Sequence, residues 1–374
     1  MNLKLDFKLA KVLSSQENQN VNCLIHTTNP EGLENILKTY KVTITAKFPF
    51  INAFAITCSR NQILKLSTIK QVEFLSSQPK VFAMMNIAKK ILGVENLGKG
   101  KGQTIAYIDT GVMPHLDFTL GNNRIKKFVD LINFKVFPYD DNGHGTFVAG
   151  VGSGSGALSL GKFSGICPES EIVAIKALDS NGEANATSIL EAMQWVYDNA
   201  KTFNINIVCM SFGSEPLGEN DPILQGAEKL WDSGLVVVAA AGNSGPEYQT
   251  IKSPGISSKI ITVGGLDDNR IDENSFNPAL FEIADFSSRG PALNTFKPDI
   301  IAPSVDITSC GITASYAKLS GTSVSAPMVA GLCALILEKQ PSLSPIEVKE
   351  EIIKHSMPIT FNKNKEGFGY VTFS

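Results

Sequence analysis

The period of the apolar positions changes near residue 100. Before that point, short apolar runs alternate with stretches of helical spacing. Residues 21–26 form one apolar run, and Asn29-Pro30-Glu31-Gly32 carries helix start signals. Leu33, Ile36 and Leu37 then recur on one helical face. Residues 42–56 alternate in strand fashion around Pro49, and Ile63, Leu64, Leu66 and Ile69 mark a second helix. Residues 72–75 and 81–82 read as extended. The pattern predicts a small α+β domain over residues 1–84, too small to be very stable alone.

A Gly/Lys linker follows, Asn96-Leu97-Gly98-Lys99-Gly100-Lys101-Gly102. Beyond it, near-continuous apolar strands are expected at 104–108, 171–175, 205–210, 235–240 and 259–263. Helical patterns lie between several of them, notably at 188–200 and 222–233. Apolar strands separated by helices imply a parallel sheet covered on both faces. The expected fold class is therefore α/β over residues 85–374, with the α+β unit ahead of it. No internal repeat or low-complexity tract interrupts either part.

Composition narrows the field. Hydrophobic residues are 43% and charged residues 18% of 374, which fits a large core and excludes a disordered chain. Thirty-three basic against 36 acidic residues leave no surplus for a phosphate backbone, so no nucleic-acid partner is expected. No run reaches the roughly 18 consecutive apolar residues of a membrane span, and no membrane partner is expected. The opening Met1-Asn2-Leu3-Lys4-Leu5-Asp6-Phe7-Lys8 lacks the apolar stretch of a secretory signal, which makes a cytoplasmic location the expectation. The six cysteines are scattered without a CxxC pair and read as free thiols of a reducing compartment. None of the four histidines stands at ligand spacing from a cysteine, so no metal site is predicted.

Four segments carry candidate chemistry, and each has an ordinary structural reading too. The strand Ile105-Ala106-Tyr107-Ile108 ends in Asp109-Thr110-Gly111, at the strand end where parallel sheets place functional groups. A lone Asp-Thr-Gly is otherwise just a turn. His144 lies between two glycines in Asp141-Asn142-Gly143-His144-Gly145-Thr146, which permits close approach or marks a plain loop. His26, His115 and His355 have poorer contexts for a base. Ser323, in Ser320-Gly321-Thr322-Ser323-Val324-Ser325-Ala326-Pro327, precedes the helical stripe Met328, Val329, Leu332, Cys333, Leu335 and Ile336. Pro327 suits that helix's first turn, so Ser323 is either a cap or a group held at a positive helix end. Asn243 follows a buried strand in Ala239-Ala240-Ala241-Gly242-Asn243-Ser244-Gly245, as a turn residue or an oxyanion donor. Together the four form a specific set. Ser323 becomes a nucleophile when His144 takes its proton, Asp109 orients His144, and Asn243 receives the tetrahedral oxygen's charge.

On these segments, with Phe286-Ser287-Ser288-Arg289-Gly290-Pro291, the chain resembles the subtilisin-like serine proteases from about residue 95 to about 355. Lys297-Pro298-Asp299-Ile300-Ile301-Ala302-Pro303 and the run 124–145 look most like intracellular serine proteases of spore-forming bacteria. The resemblance implies a serine endopeptidase made as a zymogen and acting on protein or peptide substrates. It implies that the first domain is a propeptide that chaperones folding and then blocks the cleft. Autocleavage is expected between about Lys80 and Lys90, around Ala83-Met84-Met85-Asn86. Substrate would add as a strand between Gly182, Ala184 and their neighbours on one side and Ser211, Phe212 and Gly213 on the other, giving broad specificity. Ala186 stands where many relatives carry an aromatic, and Lys252 falls near the primary pocket, where a cation favours acidic side chains.

The departures from the family pattern avoid proton-transfer positions: Phe147 and Met328 replace histidines, and Val324 a methionine. Residues 150–165 lack the calcium-loop pattern, and Asp117 alone cannot supply six to eight oxygens. No cofactor is required, and calcium is left open without a predicted site. Gly152-Ser153-Gly154-Ser155-Gly156-Ala157 mimics a dinucleotide fingerprint but reads as a flexible loop. No GxSxG surrounds Ser323, against an esterase of the α/β-hydrolase kind. The rival reading is a catalytically silent subtilase acting as a regulatory or binding protein.

Overall fold

In a computed structural model, residues 4, 5, 9, 20–49, 52–77, 85–270, 277–313 and 315–373 are described. The chain divides into two compact units, Met1–Val81 and Phe82–Ser374. The extended pair expected at 81–82, the boundary at residue 84, and Ala83 and Met84 of the expected cleavage stretch lie outside the described residues.

The first unit is a four-stranded antiparallel sheet in the order β2-β3-β1-β4. Its strands are β1 (Val21–Thr27), β2 (Thr43–Phe48), β3 (Ala53–Cys58) and β4 (Val72–Ser77). The alternating stretch read as one run resolves into β2 and β3. Helix α1 (Pro30–Thr39) starts where the Asn29 side chain accepts the Gly32 N–H, and it buries Leu33 and Leu37. Helix α2 (Arg60–Leu66) starts in a Ser59/Gln62 capping box and buries Ile63 and Leu66. Both stripes share one core with Cys23, Ile25, Ile56 and Leu75 of the sheet.

The second unit opens with α3 (Met85–Leu92) and is built on a mostly parallel sheet. Its strands are β5 (Thr104–Asp109), β6 (Ile125–Asp130), β7 (Glu171–Lys176), β8 (Ile205–Met210), β9 (Val236–Ala240), β10 (Ile261–Asp267), β11 (Glu282–Ile283) and β12 (Ile300–Pro303). A separate hairpin joins β13 (Ile307–Cys310) to β14 (Tyr316–Leu319), and β15 (Ser356–Met357) and β16 (Tyr370–Val371) close one edge. The order is β15-β16-β12-β10-β9-β8-β5-β7-β6, with β11 on β10, and β6 through β12 along that path are parallel. The five expected strands are present. The last is displaced to Ile261–Asp267, because Gly264 and Gly265 break its apolar run in the sequence.

Helices α4 (Leu116–Thr119), α5 (His144–Ser153), α6 (Ala186–Asn199), α7 (Pro222–Asp232), α8 (Thr322–Lys339) and α9 (Pro345–Lys354) fill the connections. Helix α8 is apolar on every side, as a central helix must be. From Thr322 to Leu337, Ser323 is its one residue outside the buried set. Gly152 and Ser153, expected in a flexible loop, are buried in α5. Gly152 gives the Tyr107 hydroxyl of β5 the room a side chain would take, and that hydroxyl meets Ser153 Oγ at 2.7 Å.

β5 is flanked by β7 on one side and β8 on the other, so the chain reverses its direction of travel across the sheet there. Such a reversal opens a crevice beyond the carboxyl ends of the strands. Asp109 is the last residue of β5.

Candidate active site

Asp109 is 2% exposed, and its Oδ1 accepts the Thr110 N–H at 2.8 Å and faces His144 Nδ1 at 2.7 Å. A carboxylate can only accept, so this contact assigns the proton to Nδ1 and leaves Nε2 with a free lone pair. Local sequence explains the approach. Gly143 has φ +106°, a left-handed turn that starts α5 at His144. A side chain at Gly145 would strike the Gly111 carbonyl and Asp109.

Asp140 holds this turn. Its Oδ1 accepts from the Gly143 N–H at 2.8 Å, the Asn142 N–H at 3.1 Å and Thr110 Oγ1 at 2.9 Å. Its Oδ2 accepts from the Thr146 N–H at 2.8 Å and Thr146 Oγ1 at 2.7 Å. Burial pushes its carboxyl pKa up, but these donors outweigh burial and hold it below the usual range. Burial pushes His144 down, yet the charge and hydrogen bond of Asp109, with the charge of Asp140, leave the imidazole above its ordinary value. Lys176, fully buried at the end of β7, donates to the carbonyls of Thr110 at 2.8 Å and Leu178 at 2.9 Å and pairs with Asp141 at 2.6 Å. One cation thus braces the turn after Asp109 and the turn before His144.

Ser323 is the second residue of α8, behind Gly321 at φ +150°. It is neither the cap nor followed by a first-turn proline: Pro327 is the sixth helical residue. Lacking an N–H, Pro327 cannot donate to the Ser323 carbonyl four residues back, so the helix is loosened at this point. Asn243 follows β9, and its Oδ1 accepts the Thr322 N–H at 2.9 Å and Thr322 Oγ1 at 3.0 Å. That fixes the amide with Nδ2 outward. The Cβ position that Gly321 leaves vacant lies 3.2 Å from both Asn243 Nδ2 and Ser323 Oγ, so the two groups face one small space. Asp109 is thereby joined to His144 and Ser323 to Asn243, while among the described residues no hydrogen bond links Ser323 Oγ to His144. Such bonds often tighten only when substrate is bound.

A cleft of about 480 Å³ is lined by Gly182, Ala184 and Ala186 on one side and Phe212 and Gly213 on the other. Ser211 is buried instead, with Oγ 3.7 Å from Cys209 Sγ. Phe212 also packs against the core.

His115, Asp117 and Cys310 form a buried cluster of potential metal ligands. Their surroundings do not fit a cation. Asp117 accepts from the Gly156 N–H at 3.1 Å, the Leu158 N–H at 3.0 Å and the Tyr316 hydroxyl at 2.9 Å. His115 Nδ1 accepts the Asp117 N–H at 3.1 Å, and Nε2 points at the Ser315 carbonyl at 3.1 Å. Donors converge on Asp117, and both ring nitrogens are in use. The segment around 156–158 therefore wraps the carboxylate directly. The other histidines serve locally: His26 meets Ser76 Oγ at 3.3 Å, and His355 stacks on Phe373 at 4.2 Å.

Asp140, Thr322 and Lys176 were not singled out in the sequence. Asp140 alone carried a signal, an aspartate three residues before a glycine in a polar turn.

The profile of the subtilase family, peptidase S8, matches residues 100–371. Serine protease AprX of Bacillus subtilis (strain 168) is 41% identical over 286 residues, 70% of this chain and 63% of that protein. Subtilisin DY of Bacillus licheniformis is 33% identical over 261 residues, 68% of this chain and 83% of that protein. Among solved structures, the S41 psychrophilic protease superposes with a TM-score of 0.67 at 31% identity, covering 77% of this chain and 97% of that one. Sphericase does so with 0.65 at 26% identity, covering 77% and 97%. The chain thus spans under two thirds of the length of AprX.

Proposed function

This chain belongs to the subtilase family, and from that premise we propose that it is a serine endopeptidase with Asp109, His144 and Ser323 as its triad. The observation that carries the proposal is the 2.7 Å contact from Asp109 to His144 Nδ1. It leaves Nε2 basic near the carboxyl end of β5, while Ser323 faces an amide anchored just past the carboxyl end of β9. In this reading Ser323 Oγ attacks the substrate carbonyl carbon as its proton passes to His144 Nε2. The carbonyl oxygen takes the electron pair and is met by Asn243 Nδ2 and the Ser323 N–H at the start of α8. Collapse breaks the C–N bond, His144 returns the proton to the leaving amine, and water hydrolyses the acyl-enzyme by the same steps.

Protein and peptide chains are the proposed substrates. The backbone-rich cleft walls at Gly182, Ala184 and Gly213 support strand pairing, which tolerates many side chains. The first unit is the proposed propeptide, an intramolecular chaperone and inhibitor removed by autocleavage. A reducing, cytoplasmic setting is the accompanying proposal, supported by six buried cysteines, of which Cys23 and Cys58 lie with sulfurs 3.7 Å apart rather than at bonding distance. The silent, regulatory reading has one observation on its side, the open Ser323–His144 contact. Hydrolysis of an unfolded protein by the wild type and by Ser323→Ala separates the two. The proposal expects cleavage only by the wild type, and equal inactivity of both would favour the silent reading.

A further inference from the structure

The segment Lys252-Ser253 is clamped between the two backbone stretches that lead to the reaction centre. The Lys252 N–H donates to the Ala241 carbonyl at 2.9 Å, and Ser253 and Ser214 exchange two backbone hydrogen bonds, each 3.0 Å. The Lys252 side chain therefore emerges in a slot with a glycine on each wall. A Cβ added to Gly213 would lie 2.5 Å from Lys252 Cβ, and one added to Gly242 would lie 2.6 Å from Lys252 Cγ. Gly242 immediately precedes Asn243, so the slot opens beside the carbonyl that Ser323 would attack. Its other wall, Gly213 to Glu215, is shared with the 480 Å³ cleft. At the tip, the Lys252 ammonium is paired with the Glu215 carboxylate.

The two members of this pair are unequal. Lys252 is 19% exposed and fixed by its backbone bonds and glycine walls, whereas Glu215 is 81% exposed. We propose that Lys252 selects an acidic side chain at the substrate residue just before the scissile bond, and that Glu215 occupies the cation until substrate arrives. This deepens the endopeptidase reading and rests on it. An exposed ion pair is weak and readily exchanged. A substrate carboxylate buried on binding gains a charge-assisted hydrogen bond in a drier setting. A basic side chain would meet the immobile Lys252 cation. A long apolar one would find the slot filled by lysine methylenes and would cover the ammonium without replacing its partner. Glu183 and Asp221 also border the cleft. Asp221 is occupied capping α7, where it accepts the Ile223 N–H at 2.9 Å.

The test uses the full-length protein, four peptides that differ only in Glu, Gln, Leu or Arg before one scissile bond, and a fluorophosphonate label. The wild type is expected to cut the Glu peptide at least about tenfold faster than the Gln peptide in kcat/KM. Glu215→Gln, an exposed change that spares the fold, is expected to raise that ratio, and Lys252→Met to abolish it and make the Leu peptide the better substrate. Equal rates on Glu and Gln, or a Glu215→Gln effect confined to loss of Arg cleavage, overturn the assignment. A wild type that labels and cuts without charge discrimination overturns it alone. One that neither labels nor cuts overturns the protease reading with it.

Discussion

Asn243 is held from behind. Its carbonyl end is spent on Thr322, so only Nδ2 faces Ser323. A donor fixed in this way contributes when negative charge develops, not when substrate first binds. Asn243→Ala is thus expected to lower kcat by about 10²–10³ with little change in KM. Steady-state kinetics check this, and a raised KM at normal kcat would refute the oxyanion role. His144 gives a second prediction. The base is the neutral imidazole, whose fraction grows as pH rises through its pKa. That pKa is raised above the ordinary 6.5, chiefly by Asp109 against the opposing effect of burial. The acid limb of kcat/KM is therefore expected above pH 6.5, and a limb below 6.5 would contradict the Asp109 contact. The candidate triad and Asn243 were legible in the sequence because each sits in a short local motif. Asp140 left only a turn signal there, although the N–H groups it holds are local. Lys176 and Thr322 left none, because the groups they meet at Thr110, Gly242 and Asn243 are distant in sequence until the sheet forms.

At the scale of elements, the segment that follows α5 depends on Asp117. Its carboxylate is the common acceptor for the Gly156 and Leu158 N–H groups and the Tyr316 hydroxyl, which ties that segment to β14. Asp117→Ala is expected to destabilise the fold by about 1–3 kcal/mol for each buried donor left without a partner. Urea unfolding measures the loss, and added calcium is not expected to stabilise the wild type further. Stabilisation of the wild type by calcium that is lost in Asp117→Ala would mean that Asp117 is a metal ligand. Strands β5, β7, β8 and β9 were readable as near-continuous apolar runs. β6 was not, because Lys126 and Lys127 interrupt it at the sheet edge, and β12 was not, because its four residues follow Pro298-Asp299 and end in Pro303. Pro327 misled for a related reason: proline marks a first turn by propensity, but here it lies deeper in a helix whose burial compensates for the lost bond.

At the scale of the whole molecule, the two units carry different physics. The first has a small core of its own, and the second a large one centred on α8. That asymmetry supports a large unit that persists and a small one that is removed. From Met85 onward the chain is helical, and a protease that binds substrate as a strand needs extended backbone. Autocleavage is therefore expected at the near side of the 80–90 window, before Met85. N-terminal sequencing of the processed protein checks this, and a new terminus beyond Met85 would overturn it. The division into a small α+β unit and a parallel-sheet unit was visible in the change of apolar period. The inhibitory role proposed for the small unit was not, since inhibition would depend on a geometry that no local pattern encodes.

The most direct test of the account is intact mass after reaction with a fluorophosphonate, wild type beside Ser323→Ala. The account predicts one adduct on the wild type, mapped to Ser323, and none on the mutant. No adduct on correctly folded wild type, or an equal adduct on both, would contradict the central claim that His144 and Asn243 make Ser323 a nucleophile.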